Sequence, residues 1–177
     1  MPLYRSNKPT VRFVIFTLDR HMKVYIGADH RGFAMKELIK SWLDSRGYEV
    51  VDCGNSVYDP EDDFPDYAFV VSQKIAQNSL ARPPLASLGL VFCGSGGGVT
   101  VAANKVKHIR CVTALSEEDV KHNRVHNDAN VLAIATDIFS EDEIKTMIDV
   151  FLKTEFLPEE RFLRRIGKIT AYEEEKQ

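Results

Sequence analysis

Val91-Phe92-Cys93-Gly94-Ser95-Gly96-Gly97-Gly98-Val99-Thr100-Val101-Ala102-Ala103-Asn104-Lys105 is the stretch from which the fold of this chain is read. Leu88 to Phe92 has the length and composition of a buried strand, and the small residues from Gly97 onward open a helix. Between them, four of the chain's ten glycines fall within five positions. The backbone there can take conformations closed to other residues and can approach a ligand closely. A strand, a glycine turn and a helix N-terminus together present unpaired N–H groups and the positive end of a helix dipole, so the expected ligand or transition state carries negative charge. Cys93 stands at the lip of that turn, a setting that favours a reactive thiol.

Two familiar nucleotide loops do not fit. A G-x-G-x-x-G fingerprint begun at Gly94 and Gly96 would need glycine at Val99, and one begun at Gly96 and Gly98 would need it at Val101. A phosphate loop of the G-x-x-x-x-G-K-[ST] type needs a lysine directly after its last glycine, and none follows.

Outward from this stretch the chain alternates strands and helices. Val24 to Ala28 reads as a strand, with Asp29-His30-Arg31-Gly32 as the turn after it. Met35, Leu38, Ile39 and Trp42 recur at helical spacing up to Gly47, and Tyr48 to Cys53 reads as the second strand. An acidic loop over 54–63 leads to a helix from Phe64, and Pro83-Pro84 interrupts the connection that follows it. Past the glycine stretch come a strand over 109–114, a helix capped by Ser116 and a strand over 130–135. Ile144, Met147, Ile148, Phe151 and Leu152 then form an apolar helical stripe, and a last helix follows Pro158. Five strands alternating with helices predict a single α/β domain: a doubly wound, five-stranded parallel sheet with helices on both faces and the ligand site at the strands' carboxyl ends.

At 177 residues, with a net charge of −3, the composition is that of one soluble globular domain and excludes bulk nucleic-acid binding. Three cysteines without paired metal-ligand spacing suit a reducing compartment, with the cytoplasm as the expected location. Residues 1–21 hold only one short apolar run, Phe13 to Phe16, too short for a signal-peptide core or a membrane span. They are either a short extra strand or an extension, and we read them as an extension preceding a domain over 22–177.

The carboxyl-end rule gathers Asp29, His30, Cys93 with its glycine loop, and the Val125-His126-Asn127-Asp128 turn. Singly, each has an ordinary reading as a cap or a polar turn. Jointly, a thiol, two imidazoles, a carboxylate and an anion-binding loop make an acid/base site. Arg161 and Arg165, four apart on one helix face, suit a phosphate, although Glu159 and Glu160 could pair with them instead.

From Met22 to about Glu174 the chain resembles the ribose-5-phosphate isomerase B family, which includes galactose-6-phosphate isomerase subunits. The likeness is carried by Gly27-Ala28-Asp29-His30-Arg31-Gly32-Phe33, by Cys93 to Gly98 with Ala102-Ala103-Asn104-Lys105, by His126 to Leu132, and by the Arg161/Arg165 pair. The resemblance implies a Rossmann-like homodimer or tetramer with active sites at the subunit interface, a last helix extending to the partner, and interconversion of ribose 5-phosphate and ribulose 5-phosphate without metal or cofactor. It assigns Cys93 as the base, Ser95 as the hydroxyl beside it and His126 as the ring-opening group. Asp29, Asn127 and the Gly94, Gly96, Gly97 and Gly98 loop would bind the sugar, while His30, Arg161 and Arg165 would hold the phosphate. His126 and Asn127 would come from the partner subunit.

Ser95 stands where the family has threonine, and Asp137 where it commonly has a phosphate-contacting arginine. Asp137 is therefore expected to be turned away from the phosphate or paired. The departure keeps a second substrate class open, a phosphorylated six-carbon aldose such as galactose 6-phosphate or allose 6-phosphate. A sugar-phosphate-binding protein without catalysis is a third reading, disfavoured by Cys93 and His126 occurring together. Neither a nucleic acid nor a membrane is an expected partner.

Overall fold

The computed structural model describes residues 22–79 and 87–175, so the extension and the Pro83-Pro84 connection lie outside the described residues. The elements follow the order β1 (Lys23–Ala28), α1 (Phe33–Ser45), β2 (Glu49–Asp52), α2 (Phe64–Ser79), β3 (Leu88–Cys93), α3 (Gly97–Ala103), β4 (Cys111–Thr113), α4 (Glu117–Asn127), β5 (Val131–Ala135), α5 (Glu141–Lys153) and α6 (Glu160–Glu175). The five strands form one parallel sheet in the order β2-β1-β3-β5-β4. The expected α/β architecture is what the structure shows.

Period-two alternation sorts the strand side chains onto two faces. Val24, Ile26, Leu90, Phe92, Leu132 and Ile134 pack under α1, α4 and α5 through Ile39, Leu43, Val120, Ile144, Ile148 and Phe151. Tyr25, Val91, Cys93, Val131 and Ala133 pack under α2 and α3 through Ala68, Val71, Ile75, Val99 and Ala103. Because both faces are covered, β3 and β5 are buried along their whole length and read as continuous apolar runs.

The chain leaves β1 toward β2 and leaves β3 toward β5 and β4, so a crevice opens above the β1–β3 pair, where Ala28 lies level with Phe92. Helix starts are fixed as polar capping requires. Ser116 accepts from Asp119 N at 3.2 Å, and Ser140 forms a reciprocal box with Glu143.

A fully buried lysine holds the loop between β2 and α2. Lys36 Nζ donates to both Asp52 oxygens, at 3.0 and 2.8 Å, and to the Asn55 carbonyl at 2.9 Å. Burial alone would raise the Asp52 carboxyl, but Lys36, Lys40 and the Gly54 amide outweigh it and hold it below the usual range. With the beginning of that loop fixed, its far end brings Asp62 against the turn after β1.

That turn packs directly on β3. A Cβ on Gly32 would sit 2.6 Å from Phe92 Cβ and 2.7 Å from its carbonyl carbon. We expect Gly32→Ala to lower stability by about 1–3 kcal/mol through overpacking. The check is the urea midpoint, and an unchanged midpoint would show that the turn does not depend on this contact.

Candidate active site

The turn after β1, the start of α2, the end of β3 and the segment after β5 converge on one open cavity of about 400 Å³. Its lining is Asp29, Arg31, Phe64, Cys93, Gly94, Ser95, Gly98 and Asp137. Cys93 is the last residue of β3, 5% exposed, on the α2/α3 face of the sheet. The backbone turns back on it through Gly96 at φ +74°, a left-handed conformation that favours glycine. This turn directs the Gly96 N–H onto Cys93 Sγ at 3.1 Å. Gly94 has a different reason to be glycine: a Cβ there would collide with the Arg31 guanidinium and the Asp137 carboxylate, which lie across the loop as an ion pair.

Asp29 is buried at the foot of the cavity, and its Oδ1 accepts from Gly32 N at 3.0 Å. Burial pushes its carboxyl above the usual range, against the pull of that amide. His30 is held by Asp62, whose Oδ1 accepts from the His30 backbone N–H at 2.8 Å and lies 2.9 Å from Nδ1. The Asp62 bond raises the imidazole above its ordinary value. Tyr67 also bonds Asp62, and burial together with that carboxylate pushes its hydroxyl up to about 12.

The other cysteines are set apart from this chemistry. Burial pushes Cys111 up to about 12 and raises Cys53 as well, which keeps both as thiols.

The remaining candidates do not join the cavity within one chain. His126 and Asn127 end α4, which returns to the amino edge of the sheet before β5 begins at Val131. Cys93 lies level with Ala135, four residues beyond Val131 or about 13 Å along the strands. The expectation that the carboxyl edge gathers the His126 turn is therefore corrected for the single chain, because residues that precede a parallel strand lie at its amino end. His126 packs against Phe162 of α6 with ring centroids 4.6 Å apart. Arg161 lies over Phe162 and pairs with Glu159 at 2.7 Å, while Arg165 is exposed. Arg124, nearby in sequence, is buried and committed to the Ala129 carbonyl at 2.5 Å and the Thr154 carbonyl at 3.1 Å. It is a structural residue.

Asp137 is paired, as expected, but its partner, Arg31, lines the cavity with it. Arg31, Phe64 and Asp62 are the residues that sequence reasoning passed over. The first and last lie within or against the turn after β1, and their position beside Asp29 and His30 was the available signal. Among the described residues, no group of three or more His, Cys, Asp or Glu is arranged to hold a metal, and no helix is long and apolar enough to cross a membrane.

The His30–Asp62 pair should show in titration. A histidine whose folded value is raised contributes stability that is full below the ordinary imidazole value and is lost as pH rises through the raised one. Asp62→Asn should lower the His30 midpoint in an NMR titration between pH ~5 and ~8 and flatten the corresponding change in stability. A midpoint unmoved by the substitution would mean that Asp62 does not hold the ring.

Comparison with known proteins bears on the family and the fold. The Ribose/Galactose Isomerase family profile matches residues 24–169. A probable ribose-5-phosphate isomerase B of Mycoplasma genitalium is 38% identical over 152 residues, covering 86% of this chain and 96% of its own. The ribose-5-phosphate isomerase B of Mycobacterium tuberculosis is 38% identical and is covered over 90% of its length. Among solved structures, the Mycoplasma genitalium enzyme with bound ribulose-5-phosphate superposes with a TM-score of 0.81 at 38% identity, over 88% of this chain and 100% of that one. The Clostridium thermocellum enzyme gives 0.79 at 36% identity over the same shares. With its parallel sheet, its cavity at the β1–β3 crevice and a family match over most of its length, this chain belongs to the ribose/galactose isomerase family.

Proposed function

We propose that this protein interconverts ribose 5-phosphate and ribulose 5-phosphate, with Cys93 as the base. The observation that carries the reading is Cys93 itself, at the β1–β3 crevice beneath a glycine loop, in a chain 38% identical to a solved relative that holds ribulose-5-phosphate. In the aldose-to-ketose direction the Cys93 thiolate takes the C2 proton, and the electron pair left behind forms the C1–C2 double bond. Negative charge collects on the C1 oxygen, where fixed donors are needed. Delivery of the proton to C1 and transfer of the O2 proton to O1 complete the ketose. The Gly96 N–H on Sγ stabilises the sulfur while it is charged. The Ser95 hydroxyl and the Gly94, Gly97 and Gly98 amides are available to the oxyanion, and Asp29 orients a sugar hydroxyl.

The ring-opening and phosphate groups come from a second subunit in this reading. His126 and Asn127 lie at the far edge of their own sheet, and α6 leaves Leu163, Ile169 and Tyr172 exposed beside Arg161 and Arg165. A homodimer that covers these apolar side chains would bring the partner's α4 end and α6 arginines to the cavity, where His30 completes the phosphate site. Arg161 would exchange Glu159 for the phosphate.

The decisive assay is turnover of ribose 5-phosphate by the purified protein, beside galactose 6-phosphate and allose 6-phosphate. Faster turnover of a six-carbon substrate would overturn the ribose assignment. Cys93→Ala should lower kcat by about 10²–10⁴ with little change in KM, whereas Cys53→Ala and Cys111→Ala should stay close to wild type. Near-normal turnover by Cys93→Ala would remove the base. Arg161→Ala and Arg165→Ala should each raise KM about tenfold or more, because a charge-assisted bond is worth ~1.5–3 kcal/mol. Normal KM values in both would show that α6 holds no phosphate.

A further inference from the structure

We propose that Arg31 is a substrate-positioning residue that binds the phosphate dianion from within the same chain as Cys93, and that Asp137 sets its orientation. The identity of the anion rests on the sugar-phosphate reading above.

Among the described residues lining the cavity, Arg31 is the one cation, facing the carboxylates of Asp29 and Asp137. Without it, an incoming dianion would meet two carboxylates and no countercharge from this chain's lining. The backbones that carry Arg31 and Asp137 are both anchored. Thr136 Oγ1 donates to the Arg31 carbonyl and to the Cys93 carbonyl, each at 3.1 Å. The Asp137 N–H donates to the Gly94 carbonyl at 3.0 Å. The pair therefore spans Gly94 with its two backbones anchored to the loop that carries Cys93, and the missing Cβ at Gly94 is what lets it lie there.

Arg31 donates to Asp137 through Nη2, and a guanidinium has five N–H donors in a planar fork. The side chain is 58% exposed and lines the cavity. An ion pair this exposed is weak and readily exchanged. Asp137 thus aims the guanidinium in the empty site without locking it, and a phosphate with more charge and more acceptors displaces or shares it. His30, the residue before Arg31 in the turn, is the other group that the proposed function draws on for the phosphate from this chain.

The test separates anion binding from a structural staple by the sign of two variants. Binding of inorganic phosphate, measured by calorimetry at low ionic strength, and the KM and kcat for ribose 5-phosphate are compared in wild type, Arg31→Met, Arg31→Lys and Asp137→Asn. Arg31→Met should weaken phosphate binding and raise KM by about tenfold or more, with kcat within about threefold. Arg31→Lys should fall between it and wild type, since an ammonium keeps the charge but loses the fork. Asp137→Asn should bind phosphate at least as tightly as wild type, because the competing carboxylate is gone. Wild-type phosphate binding in Arg31→Met, or equal weakening in Arg31→Met and Asp137→Asn, would overturn the proposal. So would a fall in kcat at constant KM, which would put Arg31 at the reacting carbons. If Arg31→Met does not fold, Arg31→Lys against Asp137→Asn gives the same contrast in sign. Wild-type protein that binds phosphate through Arg31 yet leaves ribose 5-phosphate unconverted would sink the isomerase reading and leave this one standing.

Discussion

The carboxyl edge of the sheet depends on how closely backbone can approach backbone after β3. At Gly96 the chain passes through a left-handed conformation that turns its amide onto Cys93 Sγ. At Gly94 the absence of a Cβ lets side chains from the turn after β1 and from the segment after β5 meet over the loop. At Gly32 the turn itself rests on Phe92. Three strands are thereby joined at one point, and a larger side chain at Gly94 or Gly32 would force the groups that meet there apart. The cavity is the space that remains between them.

Charge is handled differently at the two edges of the sheet. At the amino edge, the polar groups are spent on structure. Arg110 pairs with Asp128 at 2.7 Å, Arg124 serves the Ala129 and Thr154 carbonyls, and the Asn130 side chain bridges Arg110 N and the His108 carbonyl at 2.8 Å each. Buried donors with this many acceptors are satisfied and have little left for a ligand. Around the cavity at the carboxyl edge, one or both members of the His30–Asp62 and Arg31–Asp137 pairs stay partly exposed. Partly exposed pairs of this kind are suited to exchange partners when an anion arrives.

The two edges also bear on the dimer proposed above. Any crossover helix in a parallel sheet carries its last residues to the amino side, so His126 and Asn127 belong there as a matter of topology. In the proposed dimer, a sugar phosphate above Cys93 would meet them from another copy. The exposed apolar residues of α6, beside Arg161 and Arg165, fit that arrangement.

The sequence by itself determined the fold class and the location of Cys93. Period-two and period-3.6 patterns are local, and buried parallel strands such as Leu88–Cys93 show as short continuous apolar runs between turn signals. It also pointed to the loop, because four glycines in five positions have few other uses. Tertiary structure decided which polar residues share a space. Strand order, set by the packing of helices on both faces, placed β1 beside β3 and so brought Arg31 within reach of Asp137, 106 residues away. The same packing sent the His126 turn to the opposite edge. Spacing along a chain carries no information about such pairings, since they are fixed by the summed burial of apolar surface across the whole sheet rather than by any one residue's neighbours.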